Sequence, residues 1–218
     1  MSRCPESCSG ASAGRATRRR SCVSTAAIRL PASERRAAIV AAALEVFGAG
    51  SYAGSTTAEI ARAAGVSEPI IYRHFPSKRD LWFACVDEAW SVLRIAIEAK
   101  AAAMTEAAAD IGTDKASPWA NPLLPNLWVQ GVTEAPEDQE IQRFVRAHVR
   151  EVHRFVAEMM RSYQMGGFMP VDRDPEAEAW IFLAGGLLRS FADRLGGILG
   201  PSEFAAIGRE RRRWLSGA

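Results

Sequence analysis

Residues 56–78 read TTAEIARAAGVSEPIIYRHFPSK, and this stretch predicts two short helices that are joined by a tight turn. Thr56 and Glu59 have the spacing of a capping box, in which a hydroxyl and a carboxylate satisfy the first free amides of a helix. Gly65 ends that helix, because glycine adopts the left-handed conformation at little cost. Ser67 can cap the second helix, whose first turn tolerates a proline. Two helices about a glycine turn are typical of a helix-turn-helix.

The second helix divides into two faces at 100° per residue. Ile71 and Phe75 share the face that we expect to enter the core. On the opposite side, Arg73 could bond a guanine edge in two places and Ile70 could touch a thymine methyl. Tyrosine and histidine side chains on the flanks could bond phosphate oxygens. The outer and flanking residues are Pro69, Ile70, Tyr72, Arg73 and His74.

Length and composition indicate one well-buried core with a small attached domain. The 218 residues are 48% hydrophobic and 24% charged, which is ordinary for a globular protein. The net charge of +2 is too small to argue for nucleic acid by itself. Its distribution is uneven, because residues 1–40 hold eight arginines against two glutamates. An N-terminal excess of positive charge could form a nucleic-acid-binding arm.

Residues 1–31 are rich in Ser, Ala and Arg and predict a disordered basic leader. We favour a solvated tail or a misassigned start over an arm that follows the phosphate backbone. No CxxC pair or histidine spacing suggests a metal site, no cofactor is expected, and reduced thiols in the cytoplasm are the simple interpretation. No apolar run has membrane-spanning length. The cysteines are Cys4, Cys8, Cys22 and Cys85.

The rest of the chain predicts helices, so we expect an all-α fold. A helix from Ser33 to Gly48 completes a helix-turn-helix domain of three helices at 32–78, and a larger helical domain follows at 79–218. A long helix capped by Ser77 and Asp80 should be apolar over a wide arc and pack on two sides. Its two stripes are Leu81, Cys85, Ala89, Val92 and Ala96, and Trp82, Val86, Trp90, Leu93 and Ile97.

Beyond a predicted loop at 107–121, four further helices are expected. Their starts are marked by prolines and acidic residues, and glycine pairs end two of them. The expected starts are Pro122, Ala135-Pro136-Glu137-Asp138, Asp174-Pro175-Glu176 and Pro201-Ser202-Glu203. Gly185 and Gly186 lie in mid-helix, where they lower helix stability. We interpret them as a close contact across a dimer, with a bend or ligand access as the alternatives.

Six side chains of the larger domain are candidates for a ligand pocket. A stripe of aromatic residues and methionines is more often plain core, and we interpret most of the six as core. His148 and His153 are five residues apart, which does not suit a metal pair on a helix, although His148 could line a pocket. The six are Trp128, Phe144, His148, Phe155, Met159 and Trp180.

The run from Thr56 to Leu81 resembles the DNA-binding signature of the tetracycline-repressor (TetR) family. Its most specific parts are Gly65-Val66-Ser67, Tyr72-x-His74-Phe75 and Ser77-Lys78-x-x-Leu81. Pro69 departs from the glycine that many members carry, but the Glu-Pro pair also occurs in the family. The resemblance implies a helix-turn-helix domain on a larger helical domain, and a homodimer joined through the last two long helices. It also implies a small-molecule pocket that changes the separation of the two DNA-reading units.

By matching position, the resemblance implies which residues contact a double-stranded operator. Thr56, Thr57, Tyr72, His74 and Lys78 would hold phosphates, and Glu68, Pro69, Ile70 and Arg73 would face base edges, with Ser67 completing the set. For the dimer interface the candidates are Gly185, Gly186, Leu187, Phe191, Phe204 and Trp214.

Two of these residues raise electrostatic questions. Lys78 lies at the N-terminus of a helix, where a cation is unfavourable for the helix dipole, so a phosphate partner is expected. Glu68 suits the dipole and repels phosphate, yet it could accept a hydrogen bond from a cytosine amino group. The two interpretations of Glu68 remain equally open.

The function expected from the sequence is a ligand-responsive, DNA-binding transcriptional repressor. A small hydrophobic effector would release it from a near-palindromic operator. The alternative is an architectural or partner-controlled DNA-binding regulator without a small-molecule ligand. An enzyme is not expected, since the chain has no nucleophile elbow, no phosphate-binding glycine loop and no metal-ligand cluster.

Overall fold

The computed structural model of the chain describes residues 31–103 and 123–216, and all secondary structure within these ranges is helical. The all-α prediction is therefore confirmed. Apart from Pro31, the predicted leader lies outside the described residues, and so does the predicted loop at 107–121. Within the described part, the helices are α1 (Ala32–Ala49), α2 (Thr57–Ala63), α3 (Glu68–His74), α4 (Lys78–Ala103), α5 (Leu123–Glu134), α6 (Gln139–Met165), α7 (Pro175–Arg194) and α8 (Pro201–Ser216).

Short-range capping signals set most of the helix starts. Asp174 accepts a hydrogen bond from the Glu176 amide and opens α7 as predicted. The start of α6 lies at the end of the predicted stretch 135–138, because Asp138 caps that helix by accepting from the amides of Glu140 and Ile141. The prediction that Pro136 belongs to the first turn is wrong. The proline therefore lies in a turn that separates α5 from α6.

A continuous hydrophobic core connects the first four helices with α5 and α6. Trp82 of α4 is fully buried at its centre, in ring contact with Tyr52 and Phe144. Both predicted stripes of α4 enter this core over the first half of the helix. Val92 and Ala96, which we expected on a buried stripe, are exposed because the second half of α4 keeps one side outside the described core.

Helices α5, α6 and α4 approach one another closely at Gly131. A Cβ atom placed there would lie 2.6 Å from Trp82 Cη2 and 2.6 Å from Val145 Cγ2. Glycine is therefore required by space at this position, although its backbone is ordinary helix. The sequence analysis did not single it out.

Buried charge fastens α8 to α7. Glu178 is 4% exposed and accepts hydrogen bonds from the Arg211 guanidinium and, at 2.9 Å, from Trp214 Nε1. Gly196 and Gly197, with φ of +74° and +78°, turn the chain between the two helices. None of the helices in 31–103 and 123–216 is long and apolar enough to cross a membrane.

Candidate nucleic-acid interface

The start of α2 is fixed by the predicted capping box. The Glu59 amide donates to Thr56 Oγ1 at 3.2 Å, and the Thr56 amide donates to Glu59 Oε2 at 2.9 Å. The Thr56 amide and, as the second cause, the Thr56 hydroxyl both donate to the Glu59 carboxylate and lower the pKa of Glu59. The charged carboxylate at the positive end of α2 holds the connection from α1 in one conformation.

The turn between α2 and α3 depends on Gly65, whose φ of +65° lies in the left-handed region. The Val66 amide donates back to the Ala61 carbonyl at 3.0 Å and closes the turn. Beyond it, Ile71 and Phe75 are 0% and 2% exposed, so they anchor the inner face of α3 in the core as predicted. The inner face thereby determines which side chains remain outside.

The outer face of α3 presents polar side chains. Arg73 is exposed and makes no hydrogen bond or ion pair with any described residue, while His74 is half-buried. Tyr72 is 47% exposed. Ile70, which we expected to point outward with Arg73, is half-buried and packs against the core, so the apolar side of α3 is wider than the spacing of Ile71 and Phe75 indicates. The free guanidinium of Arg73 can donate two parallel hydrogen bonds to an acceptor outside the protein.

Three side chains that were predicted to contact DNA form a hydrogen-bond network centred on Thr57. The Thr57 hydroxyl donates to Glu68 Oε1 and lies 3.2 Å from the Tyr72 hydroxyl, and Thr57 is only 8% exposed. The Thr57–Glu68–Tyr72 network joins the first turn of α2 to α3. It holds one oxygen of Glu68 inside the protein and leaves the second for an outside donor. Ser67, at the N-cap of α3, makes no side-chain capping bond and is exposed.

Lys78 has a structural partner that the sequence did not reveal. Its Nζ donates to the carbonyls of Tyr52 at 2.8 Å and Ser55 at 3.1 Å, and it lies 4.4 Å from the Tyr52 ring centre. These acceptors, 23 and 26 residues away in sequence, account for a cation at a helix N-terminus without DNA. An ammonium has three donors, so one stays available to a phosphate.

Polar contacts of two side chains, Arg79 and Gln130, join residues 32–79 to the helices that follow. We call residues 32–79, the helix-turn-helix with the start of α4, the DNA-reading unit. Arg79 donates to Asp138 at 2.9 Å and also pairs with Glu140, and the Arg79 bond is the main cause of a lowered pKa at Asp138. Gln130 Nε2 donates to the Phe47 carbonyl at 2.8 Å. A displacement of α5 would therefore strain its hydrogen bond to α1, and a displacement of α6 would strain its ion pairs with α4.

The candidate pocket residues divide into two places. Trp128 Nε1 donates to His148 Nδ1 at 3.1 Å, and the ring centre of Phe144 lies 5.8 Å from that of His148. Trp90, which the sequence analysis assigned to the core stripe of α4, contacts both His148 and Phe155. Hence Trp128, Phe144, His148 and Phe155 belong to one aromatic cluster, together with Trp90.

The other two pocket candidates lie elsewhere. Trp180 is 49% exposed and stacks on His153, with ring centres 4.1 Å apart, because Ala179 and Leu183 take the buried side of α7. Met159 is half-buried and packs on the core. Within the described residues, neither side chain makes a ring contact or a hydrogen bond with the cluster around His148.

The dimer-interface candidates lie on α7 and α8. Gly185 is exposed with nothing within 4 Å of a Cβ placed there, and Gly186 faces Pro125 at 3.5 Å. Phe204 is covered by Arg189, whose Cζ lies 4.0 Å from the ring centre. Several large apolar side chains of the two helices and of the turn between them are 39–57% exposed, and they are Trp180, Ile181, Leu187, Leu188, Phe191, Leu195, Ile198, Ile207 and Trp214.

Comparison with known proteins identifies relatives of the DNA-reading unit. Residues 39–85 match the family model of bacterial regulatory proteins, tetR family. The HTH-type transcriptional activator FasR of Mycolicibacterium smegmatis is 48% identical over 56 residues, which are 26% of this chain and 26% of FasR. The HTH-type transcriptional regulator BetI of Rhizobium meliloti is 32% identical over 122 residues, which are 54% of this chain and 60% of BetI. The match thus spans less than two thirds of either relative.

Solved structures extend the likeness to the whole fold. A TetR-family transcriptional regulator from Rhodococcus sp. superposes with a TM-score of 0.68 over 84% of this chain and 99% of its own. The sequence identity is 17%, so this likeness concerns the fold alone. An N-terminal helix-turn-helix followed by a helical domain is common to both.

Proposed function

We propose that the chain is a tetR-family, sequence-specific DNA-binding transcriptional regulator and not an enzyme, because its residues 39–85 match the model of that family of bacterial regulatory proteins. The observation that carries this proposal is the exposed, unpaired Arg73 on the outer face of a rigidly anchored α3. A guanidinium in that position can bond a guanine edge in the major groove. The exposed Tyr72 and the free donor of Lys78 support phosphate contacts on either side.

We propose that two copies bind together through α7 and α8. The exposed apolar side chains of these helices, Leu187 and Phe191 among them, support a contact between identical faces. Such a two-fold contact repeats each DNA-reading unit, so a near-palindromic operator would match it, with half-site centres roughly 34–36 Å apart. The proposed site of action is the cytoplasm, where the DNA is.

We further propose that operator binding represses transcription and that a small apolar ligand releases the protein. The aromatic cluster around His148 supports a binding site. The contacts of Arg79 and Gln130 support its connection with the DNA-reading unit. FasR is called an activator, so the direction of regulation needs a test of its own. A reporter gene is placed behind the operator and its expression is compared with and without the protein. Repression predicts higher expression without the protein, and activation predicts lower expression.

Selection of DNA by the purified chain tests the proposal. Double-stranded fragments with a random central segment are bound, recovered and sequenced, and sedimentation gives the number of chains in the complex. We expect an enriched inverted repeat bound by an even number of chains. Enrichment of no motif would contradict sequence-specific binding. A single half-site bound by one chain would contradict the dimer while leaving DNA recognition intact.

A further inference from the structure

The tautomer of His148 is fixed by its neighbour. An indole N–H can only donate, so the bond from Trp128 Nε1 requires an unprotonated Nδ1 on His148. Burial lowers the pKa of His148 from 6.5 to about 4, so the ring is neutral near pH 7. Its single proton must therefore be on Nε2, which makes this atom a donor.

That donor is buried and has no acceptor among the described residues. His148 is 4% exposed, and its Nε2 has no hydrogen-bond partner. The indole N–H of Trp82 is a second buried donor without a hydrogen-bond partner. The ring centres of Trp82 and His148 lie 6.0 and 5.8 Å from that of Phe144. Leaving a buried donor unpaired is costly, so two of them beside one phenyl ring need an explanation.

A second buried histidine on the same helix shows the usual arrangement. His153 is 7% exposed, its Nε2 lies 3.0 Å from the Glu176 carbonyl, and its ring stacks on Trp180. Burial on α6 is therefore compatible with a hydrogen-bond partner at Nε2. The unpaired nitrogen of His148 is a local feature and does not follow from burial alone.

The chemistry around His148 selects a ligand class. The available groups there are neutral donors and aromatic faces, so a ligand that only donates hydrogen bonds gains nothing. Glu151 is the charged group that acts electrostatically on His148, and its carboxylate would repel an anion. A neutral acceptor, such as a carbonyl oxygen, avoids both penalties, and the rings of Trp90, Trp128 and Phe144 offer apolar contact.

We propose that the effector of this protein is an uncharged apolar molecule that carries a carbonyl group, and that His148 Nε2–H donates to that oxygen. The inference rests on the proposed ligand response and specifies its chemistry. The bond from Trp128 is then a positioning contact, because it holds the imidazole in the one tautomer that can donate from Nε2.

Three compounds of similar shape test the preference: acetophenone carries a neutral carbonyl, ethylbenzene lacks it, and benzoate is an anion. The chain has three histidines, so ¹⁵N-histidine spectra resolve each ring. In the free protein we expect protonation at Nε2 of His148. Acetophenone should shift that resonance and bind roughly tenfold more tightly than either of the other compounds, as the gain of one buried hydrogen bond predicts.

Variants separate the hydrogen bond from general packing. In His148→Phe, acetophenone and ethylbenzene should bind equally well, whereas His153→Phe should keep the tenfold preference. His148→Gln retains an N–H donor and guards against loss of folding in the phenylalanine variant, and it should keep part of the preference. Protonation at Nδ1 in the free protein, equal binding of the three compounds, or binding of none of them would overturn the proposal.

The same samples are titrated with the selected operator, so that the two proposals fail separately. Preference for acetophenone with unchanged operator affinity would support the site and count against ligand-controlled release. Operator binding by a protein that binds none of the compounds would overturn the site and leave the DNA-binding proposal standing.

Discussion

The capping box and the Thr57–Glu68–Tyr72 network of the DNA-reading unit span shorter sequence distances than the bond between Trp128 and His148 in the aromatic cluster. Thr56 and Glu59 are three residues apart and Thr57 and Glu68 eleven, whereas Trp128 and His148 are twenty apart. The two regions differ also in where unpaired donors lie: Arg73 is free in solvent, and His148 Nε2 is free in the interior.

That difference has a thermodynamic meaning. An exposed donor without a protein partner is hydrated and adds little cost, so DNA can replace the water. A buried donor without a partner lowers stability, and such a cost is tolerated where the group has a further role. The free donor on the outer surface of α3 thus does not lower the stability of the fold, whereas the unpaired donor of His148 in the interior does.

The largest effect that we predict is a dependence of the free energy of unfolding on pH, which would test the cost of burying His148. His148 has a lowered pKa of about 4 in the folded state against 6.5, so the unfolded chain binds the extra proton as pH falls from 6.5 to 4. The free energy of unfolding should decrease by up to about 3 kcal/mol over this interval. Denaturation at several pH values measures it.

The control for this experiment is a variant that lacks the His148 imidazole. In His148→Phe the loss of stability between pH 6.5 and 4 should be much smaller, whatever its stability at pH 7. An equal slope in the variant would show that other groups cause the acid sensitivity and that the interior site is not strained as described.

A smaller effect is expected from filling the space at Gly131. In Gly131→Ala the added methyl group meets Trp82 and Val145 at 2.6 Å, so we expect a loss of about 1–3 kcal/mol in thermal or urea unfolding. Gly48→Ala is the matched helical control, because its Cβ would have an ordinary 3.5 Å contact with Leu123. Similar stability of the two variants would contradict the tight approach of α5 to α4.

The smallest effect concerns the Thr57–Glu68–Tyr72 network. Thr57→Val keeps the side-chain shape and removes the hydroxyl, so the free energy of unfolding should decrease by about 1 kcal/mol. Ser67→Ala, which removes an exposed hydroxyl without a capping bond, should change it by less than about 0.5 kcal/mol. If the order is reversed in urea unfolding, the network does not stabilise the DNA-reading unit.

Short-range signals made most of the helices and the DNA-reading unit predictable. The capping box of Thr56, the turn at Gly65 and the start of α7 at Asp174 each depend on neighbours within a few residues, and all three are confirmed. Proline and acidic residues predict a helix start at 135–138, but only the contact geometry shows that Asp138 supplies the cap and that Pro136 precedes the helix.

Contacts between distant parts of the chain were not predictable. A phosphate partner was expected for Lys78 because a cation is unfavourable at a helix N-terminus. The carbonyls that bind it instead lie more than twenty residues away in sequence, so local spacing does not reveal them. Similarly, helical spacing put Trp180 with the pocket candidates, although the packing of α7 leaves it outside the aromatic cluster. Helical periodicity assigns a face to a side chain but does not identify its partner.

The role of α3 in reading DNA is tested most directly by Arg73→Ala on the selected operator and on its single-base variants. We predict that the substitution lowers discrimination at one position of each half-site by about 1–3 kcal/mol. Arg143→Ala, at an exposed arginine of α6 that bonds its own helix at Gln139, should retain full discrimination. Unchanged discrimination at every position in Arg73→Ala would contradict the account.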